Sequence, residues 1–268
     1  MKCKILLTGG NGFIGKHIQA LFKDKYDLVV YDIEQGNDIR DRFKLDRLFQ
    51  KEQFDICINL AARAGVPSGE TFYEEYFSTN CIGLKILVDV CKKYNVRLIH
   101  FSSSCAIDHK SIYGITKLAG EMILQNSDIE WVIIRPFTVI GENSRKEMVI
   151  YKWKQQIEKG NPITFYGDGT TFRGYTYVKD LIDGVEKCIH NKESNSKIFN
   201  LGGNQKITLQ ELWDIFKEVY PDAKKDILPL PDYDVAGNMA DSTEANKILG
   251  WFPKTDIRNK IKELLYGK

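Results

Sequence analysis

The stretch Thr8-Gly9-Gly10-Asn11-Gly12-Phe13-Ile14-Gly15 closes a short apolar run over residues 2–7 and opens an amphipathic segment over residues 13–22. Strand, tight turn and helix in that order are the setting a dinucleotide needs. Gly10 is expected to permit the turn, Gly12 to let the backbone approach a pyrophosphate, and Gly15 to let the helix pack against the strand. Free amides at the helix start would attract the phosphate charge. A second strand, residues 26–31, ends at Asp32, about twenty residues beyond the glycines, where a carboxylate accepts hydrogen bonds from ribose hydroxyls. Asp32 favours NAD over NADP. It would repel a 2′-phosphate, and Ile33, Glu34 and Gln35 offer no arginine to compensate.

Working outward, residues 54–60, 97–102 and 131–135 read as strands, and residues 70–93 and 112–125 as helices. Regular βα alternation predicts an α/β fold, a Rossmann-type doubly wound parallel sheet covered on both faces. Ligands of such sheets lie beyond the carboxyl ends of the strands, where the glycine turn, Asp32, Ala61-Ala62, Ser102-Ser103-Ser104 and Pro136-Phe137-Thr138 all fall. After Gly141 the pattern changes to separate helices (148–159, 179–190, 209–220), short strands and a last helix near 257–265. Residues 1–141 are therefore expected to form the NAD-binding unit, with strand and helix contributions from later residues. Residues 142–268 would form a smaller C-terminal α/β lobe that covers the crevice and binds substrate.

The 268 residues carry a net charge of +2 with both signs interspersed, which gives no electrostatic case for nucleic acid or an anionic membrane. A small molecule is the expected partner. The six cysteines include no Cys-x-x-Cys pair and no histidine at ligand spacing, so they read as reduced core residues and no metal site is expected. No leader pattern or apolar stretch approaching about eighteen residues is present, so a soluble, cytoplasmic protein is expected.

Chemistry is carried by Tyr113 and Lys117, four residues apart on one face of the helix predicted over 112–125. A free tyrosine titrates near pH ~10, too high for a base at neutral pH, but a nearby ammonium and a positive nicotinamide ring both favour the phenolate. Lys117 would be that ammonium and also a ribose ligand. Ser104 would hydrogen-bond the same substrate hydroxyl as the C–O bond gains carbonyl character. Cys105 reads as an inert buried thiol, and His17, His100 and His190 as structural; His109 falls in the loop before Tyr113. Arg173 offers a fork of donors suited to a diphosphate, and Arg145 and Lys146 could add charge at the same mouth.

Together these residues resemble the extended short-chain dehydrogenase/reductase family, within it the NAD-dependent nucleotide-sugar epimerase/dehydratase group. Gly9, Gly12, Phe13, Ile14 and Gly15 are similar to its cofactor turn, and Asp38-Ile39-Arg40-Asp41 to its adenine-contacting segment. Asn59-Leu60-Ala61-Ala62 resembles the strand end lying along the cofactor, and Asn80 matches a family asparagine on the long helix. Phe101-Ser102-Ser103-Ser104 with Tyr113 to Lys117 resembles the catalytic region, so Ser102, Tyr113 and Lys117 are also implied cofactor contacts. Thr138, in Arg135-Pro136-Phe137-Thr138-Val139, and Arg173 are the implied contacts to the nucleotide sugar.

Ala64-Gly65-Val66 and Phe137-Thr138-Val139 look most like UDP-glucuronate and UDP-glucose 4-epimerases. Family members usually carry a longer segment between the catalytic serine and tyrosine, whereas residues 105–110 bridge that gap almost alone here. Pro67 stands where an arginine is frequent in the glucuronate enzymes. The Thr-Asp-Glu acid and base of the 4,6-dehydratases is replaced by Ser104-Cys105-Ala106, which disfavours elimination of water. The resemblance implies a redox-neutral 4-epimerase of a UDP-linked hexose or hexuronate, and a homodimer through a four-helix interface. An NAD(P)-dependent 4-keto-sugar reductase and a non-catalytic nucleotide-binding regulator of the same fold are the alternatives.

Overall fold

The computed structural model describes residues 2–231 and 236–267. Residues Ile5, Leu6 and Leu7 of β1 (Lys4–Thr8) are all fully buried, as consecutive apolar residues must be when helices cover both faces of a parallel sheet. Alternation sends Ile5 and Leu7 to one core, with Ile18 and Phe22 of α1 (Phe13–Phe22). Leu6 goes to the other, with Leu45 and Phe49 of α2 (Arg42–Glu52). β2 (Asp27–Tyr31) pairs with β1 along its full length, and the pairing puts Thr8 opposite Tyr31, so the glycine turn and Asp32 leave the sheet side by side.

The chain continues through β3 (Ile56–Asn59), α3 (Val66–Thr71), α4 (Tyr73–Phe77), α5 (Leu84–Tyr94), β4 (Arg97–Phe101), α6 (Cys105–Asp108), α7 (Ile112–Gln125) and β5 (Trp131–Pro136). Then come β6 (Val139–Ile140), α8 (Val149–Glu158), β7 (Ile163–Tyr166), β8 (Phe172–Gly174), β9 (Thr176–Tyr177), α9 (Val178–His190) and β10 (Lys197–Leu201). β11 (Lys206–Thr208), α10 (Leu209–Val219), β12 (Lys225–Leu228), β13 (Gly237–Asn238), α11 (Thr243–Leu249) and α12 (Ile257–Tyr266) follow. The six-stranded sheet runs β10-β5-β4-β3-β1-β2 with every pairing parallel, so a strand from the second half completes it. One apolar core runs unbroken from Ile5 and Leu7 through Phe199 to Trp153, Phe216 and Trp251, and so joins the later helices to one face of the sheet.

Two expectations need correction. The single helix expected over 70–93 is broken at Phe72 (φ −117°, ψ 42°) and widened into a π turn at Ser78–Gly83. The wide turn lets Asn80 reach the backbone of Arg63 and lets Gly83 sit on Ile39, where a Cβ would come within 2.9 Å of that side chain. The tight turn belongs to Gly9, not Gly10: Gly9 has φ +68° and its Cβ would lie 2.6 Å from the Ala61 nitrogen. α2 was not anticipated, because its polar sequence buries only Leu45 and Phe49; the Asp41 carboxylate accepts from Lys44 N–H and starts it.

Candidate active site

The carboxyl ends of the parallel strands open into a cleft of about 530 Å³. Among the residues singled out above, Gly9, Gly12, Phe13, Ile14, Gly15, Leu60, Ala62, Ser102, Ser104, Tyr113, Lys117 and Thr138 line it. Ala61, Asp32, Asp38, Ile39, Asn80 and Arg173 do not. Among the described residues no side chain caps α1, whose Ncap is Gly12, so its first-turn amides face the cleft without a protein acceptor from a cap. A Cβ on Gly12 would stand 3.3 Å from the Gly9 carbonyl and roof the turn. The turn therefore fits a pyrophosphate by its own geometry, and an NAD dinucleotide would lie along Gly9, Gly12 to Gly15, Leu60 and Ala62.

Asp32 is buried just outside the cleft, where its two oxygens accept from Asn11 N–H and Glu34 N–H, each at 2.9 Å. These bonds aim the carboxylate along the turn. The Asp38 carboxylate is clasped by the Arg40 guanidinium, which holds its pKa below the usual range. Ile39 is core, and Asn80 has a structural task. Its Oδ1 accepts from Arg63 N–H at 2.8 Å, and its Nδ2 donates to the Arg63 carbonyl and to Thr116 Oγ1, each at 3.0 Å. It latches the segment after β3 to α7.

The bounds of α7 follow from its sequence. Ser111 Oγ accepts from Gly114 N–H at 3.1 Å, and Glu70 of α3 accepts from Ile112 N–H at 2.9 Å. Its inner face is fixed by Glu121, fully buried, which takes the Ser102 hydroxyl at 2.5 Å and the Arg135 Nε at 2.8 Å. Arg135 comes from β5, so a buried ion pair fixes how the helix lies on the sheet.

Tyr113 and Lys117 both reach the cleft from α7. Lys117 is buried and its Nζ donates to the Phe101 carbonyl at 2.7 Å; burial pushes its pKa down to about 8, against the pull of Glu121 and Cys81. Burial pushes the Tyr113 phenol up to about 12, with the Cys105 thiol in the same direction. The Ser103 hydroxyl and the Arg145 guanidinium oppose that rise.

Sequence reasoning thus missed Ser103, one position before the serine it chose, and it understated Arg145, which lines the cleft. Lys146 is exposed and His109 sits exposed at φ +41°, outside the cleft. Cys105 lines the cleft with its pKa raised by burial, so it stays a thiol. His17 contacts the Glu142 carbonyl, His190 the Tyr26 hydroxyl and His100 the Asn59 amide, all structural partners. Thr138 holds φ +25°, an uncommon conformation for a β-branched residue, at the point where the chain leaves β5 into the cleft. Arg173 lies on β8, where Nη1 donates to the Phe172 carbonyl at 2.8 Å and its charge reaches the Cys105 thiol.

A family profile described as the NAD dependent epimerase/dehydratase family matches residues 5–202. The chain belongs to that family. It is similar to UDP-glucuronate 4-epimerase 3 of Arabidopsis thaliana, at 27% identity over 97% of this chain and 75% of the relative. That alignment spans 321 positions, so the relative has stretches with no counterpart in these 268 residues. Among solved structures it is similar to a UDP-glucose 4-epimerase of Thermotoga maritima with UDP-glucose, at TM-score 0.90 and 25% identity over 98% of both chains. It is equally similar to a UDP-glucuronic acid 4-epimerase of Bacillus cereus in complex with UDP-glucuronic acid and NAD, at TM-score 0.89 and 25% identity over 98% of both chains.

Proposed function

We propose that this family member is an NAD-dependent nucleotide-sugar 4-epimerase acting on a UDP-hexose or UDP-hexuronate. The observation that carries the reading is that Ser104, Tyr113 and Lys117 line the same cleft as the bare glycine turn. Support comes from the relatives and solved structures of UDP-glucose and UDP-glucuronate 4-epimerases that cover nearly the whole chain. Residues 1–141 serve the dinucleotide and residues 142–268 mainly the nucleotide sugar, with Thr138 and Arg173 on the substrate side.

The chemistry that NAD supplies when bound is hydride acceptance at C4 and its later return to the other face of the 4-keto sugar. Tyr113 Oη takes the proton of the 4-hydroxyl and gives it back. Ser104 donates to the same oxygen as its carbonyl character grows. Lys117, anchored on the Phe101 carbonyl, binds the nicotinamide ribose. Arg145 supplies positive charge inside the cleft and acts to lower the phenol's proton affinity.

Purified protein incubated with UDP-glucose or UDP-glucuronate and no added cofactor is expected to yield the 4-epimer. Turnover only of a 4-keto sugar with added NADH or NADPH would assign a reductase instead, and no turnover of either kind with dinucleotide bound would assign a regulator.

The enzyme is a homodimer joined through α5, α7 and the turn between α4 and α5. Exposed apolar side chains support that surface: Phe77, Ile82, Ile115 and Met122 are 38, 59, 41 and 56% exposed. Sedimentation is expected to show a dimer, and Ile82→Asp with Met122→Asp a monomer; a monomeric parent chain would sink the assignment. The six free cysteines support a reducing compartment, the cytoplasm, as its location. No helix among the described residues is long and apolar enough to cross a membrane.

A further inference from the structure

Ser104 receives a hydrogen bond from far along the chain: Asn238 Nδ2 donates to its Oγ at 3.3 Å. Asn238 belongs to β13, and that strand is fixed in place by its surroundings. It pairs in parallel with β8, Gly237 opposite Phe172 and Asn238 opposite Arg173, and the Phe172 N–H donates to the Ala236 carbonyl at 3.1 Å. Gly237 lies so close on the Phe172 ring that a Cβ would come within 2.1 Å of it, and Met239 closes on Gly174, where a Cβ would meet its sulfur at 2.8 Å. The carboxamide between these two contacts is therefore preorganised.

Its reach follows from what is short elsewhere. Only residues 105–112 separate Ser104 from Tyr113, and α6 with its following loop folds back on α7, Gly114 against the Cys105 carbonyl. From the C-terminal part of the chain, Asn238 reaches Ser104 behind the cleft lining. We propose that Asn238 is a positioning residue for the reaction inferred above, acting through Ser104. This rests on the epimerase reading and deepens it.

The chemistry is directional. An N–H donated to Ser104 Oγ occupies a lone pair of that oxygen and leaves its O–H free to point at the sugar's C4 oxygen. The hydroxyl then donates to the 4-keto oxygen on which negative charge grows as hydride returns, and the proton for that oxygen comes from Tyr113. Ser104 and Asn238 keep their own protons throughout. An acceptor in place of the carboxamide N–H would capture the Ser104 hydroxyl and turn it away from the sugar.

The test is steady-state kinetics on Asn238→Ala, Asn238→Asp, Ser104→Ala and the Ser104→Ala/Asn238→Ala double variant, with dinucleotide retention as the check on folding. Asn238→Ala is expected to lower kcat roughly tenfold with KM within about twofold, the size of one hydrogen bond lost in the transition state. Asn238→Asp, nearly isosteric but an acceptor, is expected to lower kcat further. In the Ser104→Ala background the alanine at 238 should change kcat by less than about twofold, because its route of action has gone. Losses that multiply in the double variant, or Asn238→Asp at the parent rate, overturn the inference while the epimerase reading stands. Parent protein inert toward UDP-sugars overturns both.

Discussion

Tyr113→Phe is expected to lower the epimerisation rate by about 10³-fold or more while the purified variant still carries dinucleotide, because positioned proton transfer contributes about 10²–10⁴-fold and the ring itself remains. Removing one oxygen leaves the packing intact: the Tyr113 ring stands edge-on to Tyr76, centroids 6.2 Å apart, and phenylalanine keeps that contact. The prediction has content because the phenol starts from an unfavourable position. Burial raises it to about 12, so at neutral pH it is protonated unless positive charge is brought to it. Arg145 is one such charge within the cleft, and an oxidised nicotinamide would be another. The rate of the parent enzyme should accordingly climb with pH across the neutral range, and the residual rate of the variant should not. Epimer formation and released NAD, measured on the same preparation, decide the matter. A variant turning over within tenfold of the parent would show that the base lies elsewhere, and Cys105, beside the phenol, would be examined next.

Periodicity made the scaffold legible, and it did so where one physical demand dominates. Residues 13–22 and 112–125 emerge with the predicted bounds, since each pairs an apolar face with a decisive start, a glycine turn in one and Ser111 in the other. The break in the helix expected over 70–93 is not legible because the apolar spacing of a π turn differs from that of an α-helix by too little to detect, while the bond between Asn80 and the Arg63 backbone that the turn permits is a tertiary contact. The cleft residues were legible to the extent that they follow strand ends. Ser103 was missed because adjacent residues diverge in direction as the chain leaves β4, and composition cannot say which hydroxyl faces the phenol. Lys117 keeps the expected spacing, and the same helical face presents it to the Phe101 carbonyl, a backbone acceptor that no side-chain pattern announces. Asn238, 134 positions from Ser104, had no local signal at all.

Gly15→Ala is expected to abolish dinucleotide retention and to destabilise the fold by about 1–3 kcal/mol, the usual cost of forcing an extra methyl into a packed site. Its Cβ would stand 2.4 Å from the Gly10 carbonyl oxygen and 2.6 Å from both the Gly10 carbonyl carbon and Cα, all backbone atoms. Backbone can yield only if the turn moves. Gly10 has little freedom to do so, because a Cβ there would already meet Val30 at 2.7 Å and its carbonyl accepts from Gln19 Nε2 at 2.8 Å. The shift must therefore pass to Gly9 and Gly12, which hold the path of the pyrophosphate, and to the amides of α1 that would bind it. Stability and binding can be separated by a second glycine. Gly160 has φ +73° with open space around it, so Gly160→Ala carries the strain of the left-handed region, about 1–2 kcal/mol, without touching the turn. Thermal unfolding should register both variants, whereas the NAD released on denaturation should be lost only from Gly15→Ala. Equal NAD content in the two proteins would mean that the glycine turn is a packing device and that the cofactor cradle has been placed in the wrong part of the cleft.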